Sequence, residues 1–580
     1  MSRLRVFSLR ETEQFFRAET HARVPLREIS GSRVLWLNRR VIGCESSPAN
    51  AGSAREGSGE NLLRSCGYGI AEGDSVEQMG GVADRYGGVG IGSNGGSGRA
   101  AFVNGYYVKG IGRTPLVGRE TEAGHASGGA YLEECVKESI LSELVDAEFP
   151  HGSVPTLGII DTGATQVWEE CHPPKVERRC LLVRPCFLRP AHFERAVGFL
   201  TQDEKDGYRD TLRVAHMFKT ATEIFGRNEL LSIYRQFWLA WAEQLAYAFV
   251  HRLPHGGDST SNIALDGRLL DFGAMTSVPS WARISLSLAA PPVGDSVACL
   301  MDAIAIHAAT LGRYVNAAEG KPARIAEIAA LTIRRYQCFV LREMLRVAGL
   351  TRTQAERLLS LCHKEISAIL GRVLNHFRRE QFAIFAGTPQ PRIPWDVDQL
   401  WTEEPPEHLR VLREFLARNV DVFRGDEPAD RLLRGVAGRC AMRARTRPDL
   451  YRKRIKEELF RILETELSGD ALDEESLERI ISATVCRNRR DCKAEPGGAV
   501  PIGFARNARA GYALFRCLDT TKQFAIKEWD TTAPRKQGGG GGRPSSEREP
   551  KRHYIAEIRS NGIAFASSTI GDFVGSVWLL

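Results

Sequence analysis

A lysine that closes a buried strand is costly unless its ammonium meets an anion. Lys109 ends the apolar run YYV, so a phosphate or a carboxylate is its expected partner. Further on, His255-Gly-Gly-Asp258-Ser-Thr-Ser261-Asn262-Ile263 is followed by Leu269-Leu270-Asp271-Phe272-Gly273. Asn262 and Asp271 offer two hard oxygen ligands, a set suited to Mg2+ carrying nucleotide phosphates. Between strand-like segments lies Gly92-Ser-Asn-Gly95-Gly96-Ser97-Gly98-Arg99. Backbone without side chains lets N–H groups reach phosphate oxygens there, and Arg99 adds charge. The fourth stretch is a helix pattern carrying Glu133, Glu134, Glu138 and Glu143, any of which can aim Lys109 at phosphates by pairing with it. Spacing does not choose among the four. Each stretch alone has a blander reading: a flexible loop, a snorkelling edge lysine, a solvated helix face, a pair of Asx turns. Their order along one chain favours nucleotide chemistry.

The elements that must carry these residues follow from periodicity. AAFVNGYYVKG has the short apolar runs of paired strands. From Tyr131 to Val145, Leu132, Val136, Ile140 and Leu144 form one helical stripe. Residues 156–160 and 180–184 read as strands. Asn228 to Arg252 is a long helix pattern that stops before Pro254 and Gly256, and a strand is expected to end at Asp271. Beyond Ser296 the chain reads as mostly helical, with amphipathic segments at Arg324–Leu350 and Thr353–Glu380. The second is expected to open with a Thr353/Glu356 capping box. Cys44–Glu60 and the Gly538–Gly542 run read as linkers, and Tyr554–Leu580 is apolar enough to dock back on the body.

These segments divide the chain into an N-terminal piece (1–50), a glycine-rich β-containing lobe (51–185) and a second lobe with the Asp-Phe-Gly stretch (186–295). A helical region (296–490) and a C-terminal segment (491–580) follow. The order is that of a two-lobed kinase-like α+β fold with a helical C-terminal extension. Periodicity alone does not separate it from other α+β arrangements.

Composition narrows the class. The 78 Lys and Arg against 71 Asp and Glu leave +7, interspersed along the chain, so charge alone argues for no nucleic-acid surface. Of the 56 glycines, 22 fall between Ala51 and Ala130, which marks either a disordered stretch or backbone that must approach something closely. The N-terminus lacks the apolar core of a secretory signal. The apolar run Val297–Leu311 is broken by Asp302 and His307 and is too short to span a bilayer. The 13 cysteines form no CxxC pair, and the group Cys171, His172, Cys180, Cys186 lacks zinc-site spacing. Reduced thiols and a cytoplasmic address are expected.

KGIGRTP (Lys109–Pro115), EECVKESILSEL, CFLRPAHFE (Cys186–Glu194) and HGGDSTSNI with its Asp-Phe-Gly resemble the selenoprotein O family across roughly Tyr86 to Met275. That resemblance implies a kinase-like fold that binds ATP in a flipped orientation and transfers AMP to protein hydroxyls. It places the family's glycine motif on Gly96-Ser97-Gly98-Arg99, its lysine on Lys109 and its helix glutamate on Glu138. Its phosphate-binding arginines fall on Leu182, with Arg184 as the nearby substitute, and on Arg189. Its Asp-Gly pair becomes Ser127-Gly128, and its metal ligands fall on Asn262 and Asp271. The family's catalytic aspartate is Ser261 here, and serine cannot accept a proton near neutral pH as a carboxylate does. Asp258, placed as in the HGD loop of small-molecule phosphotransferases, is expected to take the base or orienting role. The family's C-terminal redox cysteine is absent, the last cysteine being Cys517.

The expected function is therefore AMP transfer from ATP with Mg2+ to a protein or peptide hydroxyl or carboxylate. A phosphotransferase with ordinary ATP orientation and a pseudoenzyme scaffold that binds nucleotide, or nothing, are the alternatives. No nucleic acid or membrane partner is expected.

Overall fold

The computed structural model describes residues 9–17, 19–42, 53–71, 79–88, 92–169, 171–172, 174–201, 206–287, 290–316, 318–384, 389–423, 429–467 and 472–491, and short strands beyond them. The chain forms two compact units. One takes residues up to Val340 with Phe377–Ile393 and Thr446–Asn488; the other takes Leu341–His376, Pro394–Arg445 and the chain from Arg489 on.

The first unit is α+β, built on a nine-stranded sheet. Its strands are β1 (Ala22–Glu28), β2 (Arg33–Leu37), β3 (Tyr68–Ile70), β4 (Met79–Arg85), β5 (Gly96–Val103), β6 (Tyr106–Lys109), β7 (Ala130–Tyr131), β8 (Gly158–Trp168) and β9 (Lys175–Pro185). Their order is β2-β8-β9-β6-β5-β4-β1-β3, with β7 also pairing β9, and all the pairings are antiparallel. Residues 22–37, assigned from sequence to a separate N-terminal segment, thus belong to the sheet. The Ser53–Cys66 helix likewise replaces part of the expected Cys44–Glu60 linker, whose residues 44–52 lie outside the described ones.

Strands β5 and β6 are joined by Asn104-Gly105, both at positive φ (48° and 83°), as a two-residue hairpin turn demands. On one side of the sheet Val24, Leu26, Ala101, Val108, Leu181 and Val183 share a core. On the other, Ala100, Phe102, Tyr107 and Phe187 pack with Val154, Ala264 and Leu270, tying the sheet to the chain between Asn262 and Asp271. That burial sets the distance between Lys109 and the Asp-Phe-Gly turn.

The Leu132–Glu148 and Arg227–Val250 helices match their expected patterns, and Val297–Val315 buries Leu300, Ile304, His307 and Leu311 on one stripe. Before Asp271 there is no ladder strand, only isolated bridges from Leu269 to Ser153 and Ile263. Expected and observed differ there because Asn262–Asp271 folds back on itself, Leu270 N–H donating to Asn262 O at 3.1 Å. Among the described residues no helix is long and apolar enough to cross a membrane.

In the second unit the Arg352–Arg378 helix opens two residues earlier than expected. Thr351 and Gln354 form the reciprocal box (Thr351 N–H to Gln354 Oε1, 2.9 Å; Gln354 N–H to Thr351 Oγ1, 3.2 Å), so Thr353 and Glu356 lie inside the helix. Trp401 anchors this unit by donating to Ala348 O at 2.9 Å, and Arg443 pairs with Asp491 at 2.9 Å. Its C-terminal part is an antiparallel sheet of β12 (Ala499–Asn507), β13 (Ala510–Cys517), β14 (Gln523–Trp529), β15 (Ile555–Ile558) and β16 (Trp578–Leu579), ordered β15-β14-β13-β12-β16. The first unit also holds a separate parallel pair, β10 (Arg283–Ser285) and β11 (Gln381–Ala383). The Gly538–Gly542 linker lies outside the described residues.

Candidate active site

Lys109 closes β6 directly opposite Leu182 of β9, with Arg184 opposite Tyr107 two residues along. Opposed residues and those two apart share a face, so Lys109, Leu182 and Arg184 all look the same way. Gly110 follows because a Cβ there would stand 2.3 Å from Cys180 O, at φ +106°.

Lys109 Nζ meets three carboxylates: Glu134 at 2.8 Å, Asp271 at 3.2 Å and Glu138 at 3.6 Å. Glu134 and Glu138 lie one turn apart on the Leu132–Glu148 helix and therefore on one face. The lysine is 4% exposed, a burial that would lower its pKa, but Asp271 and Glu134 raise it instead. Asp271 is held well below the usual carboxylate range: its partial burial would raise it, and Lys109, then Arg184 and Arg99, more than offset that. Its backbone lies in the left-handed region (φ 59°, ψ 71°), which a non-glycine residue adopts only when its surroundings enforce it.

The cations expected to face phosphate are each committed to an internal partner. Arg99 grips Glu134 with two bonds (2.9 and 2.7 Å) and Gly129 O with a third at 2.9 Å. Arg184 donates to Glu138 Oε2 at 2.5 Å, and the Phe272 N–H donates to the same oxygen at 3.0 Å. Arg189, 1% exposed, donates to Ser261 O (2.5 Å) and Asp84 (2.8 Å) and lies 4.4 Å from the Tyr86 ring centre. Lys109, Arg99 and Arg184 are therefore balanced by Glu134, Glu138 and Asp271, and Arg189 by Asp84.

The expected glycine loop is strand in its second half. Gly96 pairs with Arg85 of β4, and Gly98 O accepts the Thr114 N–H at 3.0 Å. Its first half is a turn closed by Gly95 N–H to Leu116 O at 2.9 Å. Glycines here serve one strand pairing and contacts with the neighbouring loop, roles that composition does not separate from phosphate approach. Ser127 and Gly128 lie beside KGIGRTP: Gly128 O accepts the Gly112 N–H at 3.0 Å, and Ser127 Oγ bonds the Tyr131 hydroxyl at 2.8 Å.

In the Asp258–Asn262 loop, Asn262 Nδ2 donates to Gly257 O at 2.8 Å, which turns its Oδ1 the other way, toward Ser261 Oγ at 3.5 Å. Ser261 Oγ also bonds Ser259 Oγ at 2.8 Å and is buried. His255 Nε2 donates to Leu270 O at 2.9 Å, while Nδ1 accepts the Gly257 N–H, so one imidazole ties the loop to the segment before Asp271. Asp258 is not brought to Lys109. It lines an apolar cleft with Leu245, Phe249, Pro254, Val293 and Tyr336, where burial raises its carboxyl pKa against the pull of His255 and of a hydrogen bond to Ser296.

Two contributors escape sequence reading. Glu134, one of the four glutamates left open by spacing, lies nearer Lys109 than Glu138 does; only the three-dimensional facing of two strands onto one helix selects it. Asp84 carried no signal at all. It accepts from Arg189 and from His192 Nε2, each at 2.8 Å, and stands 4.0 Å from His21 Nε2. His21, Asp84 and His192 are close enough to hold a metal ion. However, His192 Nδ1 accepts the Arg189 N–H at 3.3 Å, which puts the ring proton on Nε2, toward Asp84 rather than a cation. Of the thirteen cysteines, the ten whose side chains are described are free thiols. No protein-family model and no curated protein matches this chain.

Proposed function

We propose that the Lys109 centre is the nucleotide site of an ATP- and Mg2+-dependent nucleotidyltransferase of two-lobed, kinase-like fold, moving AMP to a protein or peptide acceptor. The observation that carries this reading is the convergence of a strand lysine, two glutamates of one helix and the aspartate of Asp-Phe-Gly on a single ammonium. That is the ion-pair arrangement which aims a lysine at nucleotide phosphates.

The oxygen donors fit a hard cation. Asp271 keeps one oxygen off Lys109, its side chain is 43% exposed, and the Asn262 amide is pinned through nitrogen. Those two residues would hold Mg2+, which screens phosphate charge. Lys109, released from part of its carboxylate cage, would exchange Asp271 or Glu134 for a phosphate oxygen. In the transfer a bond forms between the acceptor oxygen and the α-phosphorus. The bond to the bridging oxygen breaks and pyrophosphate leaves; the proton of a hydroxyl acceptor passes to water or, where the acceptor lies against the cleft that Asp258 lines, to its carboxylate. Positioning and electrostatics supply the rate.

A second reading is favoured by the balanced charges around Lys109 and by Ser261. With Arg99, Arg184 and Arg189 committed internally, the centre offers a nucleotide little spare positive charge, as a scaffold with a silent pocket would. Protein and lysate given Mg2+ and ATP labelled at either the α- or the γ-phosphate separate these readings. Covalent α-label lost in both Lys109→Ala and Asp271→Ala is the expected result. Covalent γ-label alone points to a phosphotransferase. No label, together with no thermal shift by Mg·ATP, points to the scaffold.

A further inference from the structure

The backbone directly after Asp271 is held by cations from two distant parts of the chain. Lys137, the neighbour of Glu138, donates from Nζ to Gly273 O at 2.8 Å. Arg452, the first residue of the Arg452–Leu467 helix, donates from Nη2 to Ala274 O at 2.7 Å. The contacts continue in both directions. The Arg452 N–H donates to Thr276 Oγ1 at 2.9 Å, the Ser277 N–H to Leu450 O at 3.1 Å, and the Ser277 hydroxyl to Arg447 O at 2.5 Å. Arg447 then returns to Glu148, at the end of the helix that carries Glu134 and Glu138, at 2.8 Å. Gly256 of the Asp258 loop closes the arrangement from the other side: at φ +76°, a Cβ there would stand 2.5 Å from Ala274 O and 3.3 Å from Arg452 Nη2.

We propose that residues 447–452 are a working part of the Lys109–Asp271 centre, with Arg452 and Lys137 as positioning residues that fix the turn presenting Asp271. The proposal rests on the nucleotide reading of that centre. Its physical basis is that two like charges share one turn. Burial depresses Lys137 to about 8, Glu138 and Glu133 support its charge, and Arg452 and Lys456 oppose it. Charge-assisted bonds to two consecutive carbonyls offset this cost, and they set the peptide planes that follow a left-handed aspartate. A segment remote in sequence thereby joins three parts of the site: the glutamate helix, the Asp-Phe-Gly turn and the Asp258 loop.

The test uses the full chain with Arg452→Gln, Arg452→Lys and Lys137→Met. Hydrogen exchange is followed in peptides spanning 269–278, with 232–249 as an internal control, and calorimetry measures Mg2+ with a non-hydrolysable ATP analogue. Loss of one charge-assisted bond is expected to speed exchange at 272–277 and weaken analogue binding, each by about tenfold, in Arg452→Gln and Lys137→Met. Arg452→Lys should restore most of both, and the control peptide should not change. Should Arg452→Gln fail to fold, the other two variants carry the comparison. Unchanged exchange at 272–277 overturns the proposal. So does faster exchange with unchanged analogue affinity, which would make the contacts merely structural. Faster exchange in the variants of a wild-type chain that takes up no analogue supports the stitching and overturns the nucleotide reading instead.

Discussion

Arg184 and Glu138 form a buried ion pair at 2.5 Å, with side chains 1% and 0% exposed, and the same carboxylate oxygen accepts the Phe272 N–H. Glu138 is thereby a junction of β9, its own helix and the Asp-Phe-Gly turn. Arg184 lies one strand away from Lys109 on the same face, yet its guanidinium is spent on holding Glu138 rather than open to a phosphate.

A junction of this kind is costly to break from one side. Removing one partner of a buried pair leaves an uncompensated charge, typically a loss of about 3–5 kcal/mol, whereas replacing both with apolar groups of similar volume is far milder. Glu138→Ala should therefore lower the denaturant midpoint strongly, and Arg184→Met nearly as much. The double variant Arg184→Met/Glu138→Leu should lose much less than the sum. Additive losses in that cycle would mean that the two side chains do not act as a pair.

Glu134 supplies a pH test with a definite sign. Burial would raise its carboxyl pKa, but Arg99 and then Lys109 override this and hold it at about 2, against 4.5 when unperturbed. An acid depressed in the fold stabilises above its unfolded value and loses that stabilisation as pH falls through the folded one. Glu134→Gln should accordingly be less stable than wild type at pH 7, by about 3 kcal/mol. The gap should narrow as pH drops from about 4.5 toward 2. Urea unfolding of both proteins across that range measures it, and a gap independent of pH would remove Glu134 from the ion-pair network.

Much of this arrangement was legible in the sequence because local signals govern it. The helix stripes around Glu138 and before Pro254, the paired strands of AAFVNGYYVKG and the strand end at Lys109 all follow from hydrophobic period. What sequence left open depends on which surfaces meet. Nothing local tells that Gly96 pairs with β4 while Gly98 O holds the Thr114 N–H, or that Glu134 stands nearer the lysine than Glu138. Asp84 in β4 meets Arg189 only because the sheet brings them together across more than a hundred residues. Arg452 is the extreme case. It begins an ordinary amphipathic helix, and only its contacts with Ala274 O and Thr276 Oγ1 tie it to the chain after Asp271.

Asp258 gives the sharpest remaining test, because stability and activity should move in opposite directions. Its carboxyl pKa is raised by burial in an apolar cleft, only partly countered by His255 and the Ser296 hydroxyl. An acid raised in the fold stabilises most when protonated, below its unfolded value, and that contribution is lost as pH climbs through the folded one. Near neutral pH the charged form therefore works against the fold, and Asp258→Asn, uncharged and of equal size, should melt higher than wild type. The advantage should shrink steadily on acidification. If Asp258 accepts the acceptor proton, the same variant should also lose transfer by about a hundredfold or more. Greater stability with lost transfer is the trade expected of a group kept for chemistry. A variant that melts higher but transfers normally would make Asp258 a structural carboxylate, and the proton would have to leave by another route.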